Sequence, residues 1–208
     1  MGLANPKDFL RDLDHRHFIA KEQYGWREHY GEAVGRWAYP FFMDPINSKV
    51  IYRSIGLSHA LDLPRPSSFS YREFHAISKN RLPAMAAAAT WVSFTAATTL
   101  RPARALFRKL GPKAGEGPSQ EQMDNGYFKL QLVGTNDNGE QVRSSFSYAG
   151  DPGNKATTCF LSECALALCL NADQLPDYKG FLTPSVAFGQ VLVDRLKAAG
   201  VEFTAERL

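Results

Sequence analysis

The sequence predicts an α+β protein in which an antiparallel or mixed sheet is covered on one face by helices, with an extended amino-terminal arm. Two observations carry this prediction. A hairpin pattern spans 127–148, and capped helical patterns lie before and after it. Hydrophobic residues make up 44% of the 208 positions and charged residues 22%, which suits a chain that folds around a core. The predicted division is an arm over 1–36 and one domain over 37–208.

The overall charge of the chain limits its partners. The formal net charge is +3 and the isoelectric point lies near 8.7. Nucleic-acid binding domains concentrate many more Lys and Arg side chains on one face. The composition therefore excludes nucleic acid as the expected partner.

The cysteines indicate the compartment. Cys159, Cys164 and Cys169 are five residues apart, so on a helix each step turns the thiol by about 140° and no face collects them. We expect reduced core thiols and an intracellular, reducing compartment, including an organelle or a membrane-associated site. The first eight residues show no secretory signal.

The arm over 1–36 holds the one pair of side chains with metal-ligand spacing. His15 and His17 lie two residues apart, which lets both rings reach one ion from an extended segment. No third ligand is evident nearby, and a solvated surface explains the same residues. The sequence therefore predicts no metal site.

The domain begins with a helix whose start is marked by Asp44 and Pro45, as a capping acceptor followed by a first-turn proline. We expect this helix to end at Gly56. Arg53, near its carboxy terminus, is a candidate for holding an anionic group or a partner's carboxylate, or else a surface charge that complements the helix dipole. After a proline-rich link, the alternation over 69–74 predicts a strand.

The segment 83–110 is predicted to be helical and to contact a membrane or a hydrophobic partner. Residues 83–100 carry no charge, yet Ala and Thr dominate them, so a full bilayer span is doubtful. A basic, apolar stretch follows, as on helices that lie on anionic membranes. The alternative is a helix packed on its own sheet with solvated cations. The candidate contact residues are Trp91, Phe94, Arg104, Phe107, Arg108 and Lys109.

The second half begins with the hairpin. Segments 127–133 and 142–148 alternate and flank a turn that ends at Gly139, at the expected left-handed position. The sequence therefore predicts two antiparallel strands.

A helix over 154–172 is expected next, with Phe160, Ala167 and Leu168 on its buried face. The backbone N–H groups at its start are candidates for binding an anion, together with Thr157, although turn and cap chemistry explains the same residues. Thr183 and Pro184 then open a helix that should stop at Gly200, before a closing strand.

The phosphate-binding motifs of nucleotide enzymes do not occur in these 208 residues. No G-x-G-x-x-G follows a strand, and no G-x-x-x-x-G-K-[ST] is present. A dinucleotide pyrophosphate needs the backbone cradle that such glycines form. The sequence therefore predicts no Rossmann domain here and no cofactor bound by these residues alone.

Several short motifs, in order along the chain, resemble those of saccharopine dehydrogenase-like oxidoreductases, the family that includes trans-acting enoyl reductases. The stretch 40–54 is similar to that family's "PFVM…IN…VVRRS", 69–73 to "F-x-Y-x-E", and 115–119 to "GEGPS". Asp151, Pro152 and Gly153 with Thr157 resemble "GDPGY…TA", and 182–196 resembles "LTPA…GDALIERL". The chain departs from the pattern at Phe42, a larger residue, and at Asn154, where the family often has Tyr.

The resemblance implies a two-part enzyme in which a Rossmann region holds NAD(P) and this chain forms the region packed against it. On that basis the chain is inactive alone, its partners are other protein chains, and its cofactor-proximal residues are Arg53, Asp151, Gly153 and Thr157. The alternative is a redox-inactive accessory subunit of a larger, membrane-bound complex. No His or carboxylate has a spacing that assigns a catalytic acid or base.

Overall fold

The protein consists of two compact units, 1–116 and 117–208. The computed structural model describes residues 29–31, 34–64, 69–111, 113 and 115–208. Two antiparallel three-stranded sheets and six α-helices lie in this described part, which confirms the α+β class. The sequence led us to expect one sheet, whereas each unit has a sheet of its own. His15 and His17 lie outside the described residues.

The first unit builds its sheet in the order β1-β2-β3, with antiparallel neighbours. Its elements are β1 (His29–Gly31), β2 (Arg36–Pro40), α1 (Asp44–Ala60), β3 (Phe74–Ser78), α2 (Arg81–Thr99) and α3 (Arg101–Leu110). Helix α2 packs on β2 and β3 and buries Ala84 and Ala88 there. Small alanine side chains let the helix approach the sheet closely. Strand β1 lies within the range predicted as the arm.

Two predicted boundaries in this unit are wrong. Helix α1 continues past Gly56 to Ala60, and Gly56 is buried inside it. A glycine in a helix interior costs only about 1 kcal/mol relative to alanine, so tertiary packing overrides it. The predicted strand over 69–74 is irregular up to Glu73, because the polar groups of this stretch bond to α1. The strand itself runs over Phe74–Ser78.

The helix predicted over 83–100 is present as α2, and its threonines bond to their own helix. Thr90 and Thr95 donate their hydroxyl hydrogens to the carbonyl oxygens of Ala86 and Trp91, at 2.8 and 2.9 Å. Thr98 and Thr99 donate to carbonyl oxygens three residues earlier. Among the described residues, no helix combines the length and the apolar character needed to cross a bilayer.

The second unit has the sheet order β4-β5-β6, again antiparallel. Its elements are α4 (Gln120–Asn125), β4 (Tyr127–Thr135), β5 (Gln141–Ala149), a π-helical turn (Pro152–Ala156), α5 (Thr157–Leu170), a 3-10 turn (Ala172–Gln174), α6 (Pro184–Ala198) and β6 (Glu202–Arg207). The predicted hairpin is confirmed as β4 and β5. Gly139 has φ 81° in the turn, which is the left-handed conformation that favours glycine.

An aromatic cluster forms the contact between this sheet and α5. The Phe146 ring lies 4.9 Å from that of Phe203, 5.3 Å from that of Phe128 and 5.5 Å from that of Phe160, centroid to centroid. Phe160 therefore packs on the sheet as predicted. Leu168 is exposed, contrary to the prediction. The predicted helix start at 154 is also wrong, because a π-helical turn precedes α5.

Helices α5 and α6 are joined by a mostly buried ion pair. Arg195 Nη2 lies 2.8 Å from Glu163 Oε2, and Arg195 Nη1 donates to Asn171 Oδ1 at 3.0 Å. Helix α6 begins at Pro184, directly after Thr183, as predicted. It is bent at Gly189, where φ is 51° and ψ −131°.

Candidate functional site

The segment 151–157, which contains three of the predicted cofactor-proximal residues, is organised by one carboxylate. Asp151 Oδ2 accepts hydrogen bonds from the backbone N–H groups of Gly153 and Asn154, at 3.1 and 2.9 Å. Asp151 Oδ1 accepts from the N–H of Lys155 at 2.9 Å. Thr157 donates its hydroxyl hydrogen to the carbonyl oxygen of Pro152 at 2.9 Å. Asp151 thus caps the turn that leads into α5.

Neighbouring backbone holds this cap in place. The N–H of Asp151 donates to the carbonyl oxygen of Met123 at the end of α4. A Cβ atom added at Gly126 would lie 2.6 Å from the backbone nitrogen of Asp151, so only glycine permits this approach. Lys155 Nζ reaches back to Asp124 Oδ1 at 2.7 Å. The cap therefore holds three elements in contact: α4, the start of β4 and the start of α5.

The charges at this cap reinforce one another. The backbone N–H of Lys155, followed by that of Asn154, lowers the pKa of the Asp151 carboxyl below its ordinary value. The hydrogen bond from Lys155 lowers the pKa of Asp124, and the same bond raises the pKa of Lys155. Asp151 and Asp124 are therefore ionised and Lys155 is protonated at neutral pH.

This geometry determines whether the N–H groups of the segment are available to a ligand. The N–H groups that an external anion would use are already bonded to the carboxylate of Asp151. A phosphate oxygen placed there would also meet the negative charge of that carboxylate. The observed bonds are those of the turn-and-cap interpretation. That Asp151, Gly153 and Thr157 contact a cofactor stays a prediction.

A thiol and a phenol lie beside this cap. Burial, and then the hydrogen bond with the Cys159 thiol, raises the pKa of the Tyr148 hydroxyl. Tyr148 also packs against Phe160, with ring centroids 6.1 Å apart. Burial raises the pKa of the Cys164 thiol as well, while Cys169 is exposed. Because their pKa values are raised, Tyr148 and Cys164 stay protonated at neutral pH, and neither is an activated nucleophile.

The sheet of the second unit has a polar face opposite the aromatic cluster. Three side-chain pairs cross it between neighbouring strands: Gln131 with Ser145, Arg143 with Glu206, and Ser147 with Glu202. Each pair lies directly opposite in the strand register. We call these six residues the polar sheet face. It presents hydroxyl, amide, guanidinium and carboxylate groups in one row.

The first unit has a second polar cluster, which the sequence did not reveal. Asp44 is 7% exposed, and its Oδ1 accepts from the backbone N–H of Glu73 at 2.8 Å, while its Oδ2 lies 3.1 Å from Arg72 Nε. Glu73 accepts from the Tyr71 hydroxyl at 2.7 Å and from Asn47 Nδ2 at 2.8 Å. Burial and the bond to Glu73 raise the pKa of Tyr71 above its ordinary value. The cluster fastens 71–73 to the start of α1.

The predicted contact residues lie on α2 and α3, two helices that are in contact in the first unit. The rings of Phe42, Trp91, Phe94 and Phe107 follow one another at centroid distances of 5.0, 5.8 and 5.3 Å. Phe42, Phe94 and Phe107 are exposed, although each ring touches the next. Arg104, Arg108 and Lys109 are exposed on α3. The structure therefore brings the six predicted contact residues into a single region of the first unit.

Arg53 is the predicted cofactor-proximal residue of the first unit. It lies on α1 in the first unit, whereas Asp151, Gly153 and Thr157 belong to the second. A cavity of about 290 Å³ lies at the tip of the β4–β5 hairpin and contains none of these residues. Within the described residues, no three His, Cys, Asp or Glu side chains converge as metal ligands do.

Comparison with known proteins finds mycobacterial relatives of the chain. A Mycobacterium tuberculosis protein named "Putative trans-acting enoyl reductase" is 36% identical over 184 residues. Proteins named trans-acting enoyl reductase from Mycobacterium bovis and Mycobacterium ulcerans are each 31% identical, over 185 and 184 residues. Each match covers 85% of this chain and 43% of the relative. The chain thus spans less than half the length of the curated relatives it matches.

No family model matches the chain, and no solved structure matches it. The relation therefore rests on sequence identity that extends over most of these 208 residues. Identity of this extent reflects common ancestry and a shared fold over the matched region. The chain is homologous to part of the mycobacterial trans-acting enoyl reductases.

Proposed function

We propose that this chain is the non-nucleotide-binding domain of a saccharopine dehydrogenase-like, NAD(P)-dependent oxidoreductase that reduces enoyl groups. One observation carries the proposal: relatives named enoyl reductases match 85% of the chain through less than half of their own length. The dinucleotide-binding region is then supplied by a further segment or by a second chain. The domain is inactive alone.

The chemistry of the Asp151 cap supports the assignment of a non-nucleotide-binding role. NAD(P)H would supply a hydride to the enoyl carbon–carbon double bond, but it must first be held by its pyrophosphate. A helix start whose N–H groups already bind an ionised carboxylate does not fit a pyrophosphate. We therefore assign no step of hydride transfer to these residues.

The polar sheet face is the surface we assign to the dinucleotide-binding region. Its opposite side carries the aromatic cluster that packs on α5, which leaves the polar side for another polypeptide or a substrate. Hydroxyl and amide groups such as Ser145 and Gln131 can bond to the backbone of a partner or to an acyl carbonyl oxygen. A solvated sheet face with many hydrogen-bonding groups suits a domain interface that also lines an active site.

The experiment uses the chain alone and a chimera. In the chimera, this chain replaces the matching region of the Mycobacterium tuberculosis relative. We expect the chain alone to leave NADPH fluorescence unchanged up to about 1 mM cofactor, a free energy of binding weaker than about 4 kcal/mol. The chimera should bind NADPH and reduce an enoyl thioester. Tight NADPH binding by the chain alone would contradict the proposal. A correctly folded chimera that does not bind NADPH would contradict it as well.

A redox-inactive scaffold subunit is the second candidate, and a specific observation favours it. His59 and His75 are the histidines whose side chains the structure describes. Burial lowers the pKa of His75, and its ring is covered by Tyr39 and Phe41. A chimera that binds NADPH but does not turn over would support the scaffold. Turnover at a rate near that of the relative would exclude it.

A further inference from the structure

Helix α3 divides sharply into a cationic and an apolar side. At 100° per residue, Arg101, Arg104, Arg108 and Lys109 fall within an arc of about 140°. The apolar residues Ala103, Leu106, Phe107 and Leu110 fall within the opposite arc of about 100°. No acidic residue occurs in the helix. The ten residues therefore combine four positive charges with a continuous apolar stripe.

The apolar stripe of α3 is not packed inside the protein. Leu106 is 52% exposed and Leu110 is 74% exposed, and Leu100, just before the helix, is exposed as well. Only Ala103 is half-buried. The rings of Phe94 and Phe107, 5.3 Å apart, extend this apolar surface onto α2, where Val92 is also exposed. Apolar surface of this kind on a folded protein marks an interaction site.

The cations beside the apolar stripe of α3 indicate which kind of surface it binds. Basic amphipathic helices of this composition lie in the interfacial plane of a membrane, with the apolar side among the acyl chains and the cations at the phosphate level. Each Lys or Arg near an anionic surface adds attraction, and aromatic rings favour the same depth. Four cations without an acidic neighbour in the helix complement a negatively charged surface.

We propose that α3, together with the aromatic row of Trp91, Phe94 and Phe107, binds the surface of an anionic lipid membrane without crossing it. The surface consists of side chains that the proposed enoyl-reductase role does not use, so the inference is independent of that role. It assigns to the first unit a peripheral membrane attachment that would hold the protein beside lipid-borne acyl groups.

The test is co-sedimentation of the 208-residue chain with phosphatidylcholine vesicles, with and without about one third phosphatidylserine. We expect binding to the anionic vesicles only, and a loss of that binding as the salt concentration rises. Salt-resistant binding that is equal on neutral vesicles would overturn the proposal. A chain that stays in the supernatant with anionic vesicles would also overturn it and leave the surface to a protein partner.

Matched variants separate this surface from net charge. The triple variant Arg104→Gln, Arg108→Gln, Lys109→Gln should lose about 100-fold in vesicle affinity. The control Lys79→Gln, Lys129→Gln, Lys179→Gln removes the same charge from exposed positions elsewhere and should bind like the unchanged chain. An equal loss in both would show attraction by net charge alone and reject the site.

A second variant examines the apolar stripe without changing charge. Leu106→Gln with Leu110→Gln should weaken binding about 10-fold or more, since both side chains would leave the acyl layer. Their exposure means that the fold does not depend on them, which circular dichroism checks. Unchanged binding of this variant would show that α3 does not insert, and would reject the proposed orientation.

Discussion

Asp44 Oδ1 accepts a 2.8 Å hydrogen bond from the backbone N–H of Glu73, a residue 29 positions later in the chain. The sequence had suggested that Asp44 caps the helix it begins. The helix start instead has no side-chain cap, and Met43 occupies the capping position. The Asp44 carboxylate instead binds the backbone of Glu73 and the side chain of Arg72. It therefore positions the segment that leads into β3.

Removing the Asp44 carboxylate should destabilise the first unit. Asp44→Ala leaves the half-buried N–H of Glu73 without an acceptor and Arg72 without its counter-charge, at a cost of about 3 kcal/mol. Asp44→Asn keeps an acceptor and should cost about half as much. Urea unfolding followed by circular dichroism measures both. Equal stability of Asp44→Ala and the unchanged chain would contradict this role.

Gly126 should resist substitution because of its contact with Asp151. A Cβ atom there would lie 2.6 Å from a backbone nitrogen, which cannot move without breaking the cap. We expect Gly126→Ala to cost about 2 kcal/mol or more. Gly134→Ala, within β4, is the matched control because nothing lies within 4 Å of its added Cβ. Comparable thermal midpoints for the two variants would show that the close approach is unimportant.

The Asp151 cap should make stability depend on pH in the acidic range. The folded-state pKa of Asp151 is lowered from 3.8, so its stabilising effect is complete above the unfolded value and disappears as the pH falls below about 4. Asp151→Asn lacks this titration. We expect the difference in thermal midpoint between the two proteins to shrink from pH 7 towards pH 3. A constant difference across that range would argue against an ionised cap.

The Arg195–Glu163 pair should couple α5 to α6. The side chains are 20% and 17% exposed, so some solvent screening remains. Breaking the pair with Arg195→Met should cost about 2 kcal/mol, because Glu163 is left largely buried without its partner. The double variant with Glu163→Gln should recover part of this loss. A double-mutant cycle gives the coupling free energy, and a value near zero would show two independent residues.

The thiols should react in the order of their exposure. Cys169 is exposed, whereas Cys159 and Cys164 are half-buried and burial raises the pKa of Cys164. Because the thiolate is the reactive form, iodoacetamide at pH 8 should label Cys169 first and Cys164 slowly. Peptide mass spectrometry over a time course gives the order. Early labelling of Cys164 would indicate that α5 opens readily.

Sequence patterns predicted the elements whose signals are local. The β4–β5 hairpin follows from alternation around a turn with Gly139, and α2 follows from a charge-free segment rich in alanine. The end of α1 was missed because the burial of Gly56 depends on packing that no local pattern records. The irregular stretch before β3 was missed for a similar reason, since long-range bonds to Asp44 and Asn47 hold it.

The sequence could not show whether the N–H groups at the Asp151 turn bind a ligand or the protein itself. Spacing identified the turn at Asp151 as a place where N–H groups converge, and it is such a place. The sequence left open whether a ligand or the protein uses those groups. In the structure the carboxylate two to four residues earlier uses them, because its reach matches the turn. A composition-based reading could not rank those alternatives by energy.

The threonine hydroxyls of α2 bond to their own helix, which makes the surface of that helix less polar. The hydroxyl hydrogens of Thr90, Thr95, Thr98 and Thr99 are already shared with carbonyl oxygens of the same helix. Their methyl groups then add apolar surface to the helix, beside exposed side chains such as Val92 and Phe94. A neighbour that packs against it, whether acyl chain or polypeptide, need provide no polar complement at these four positions.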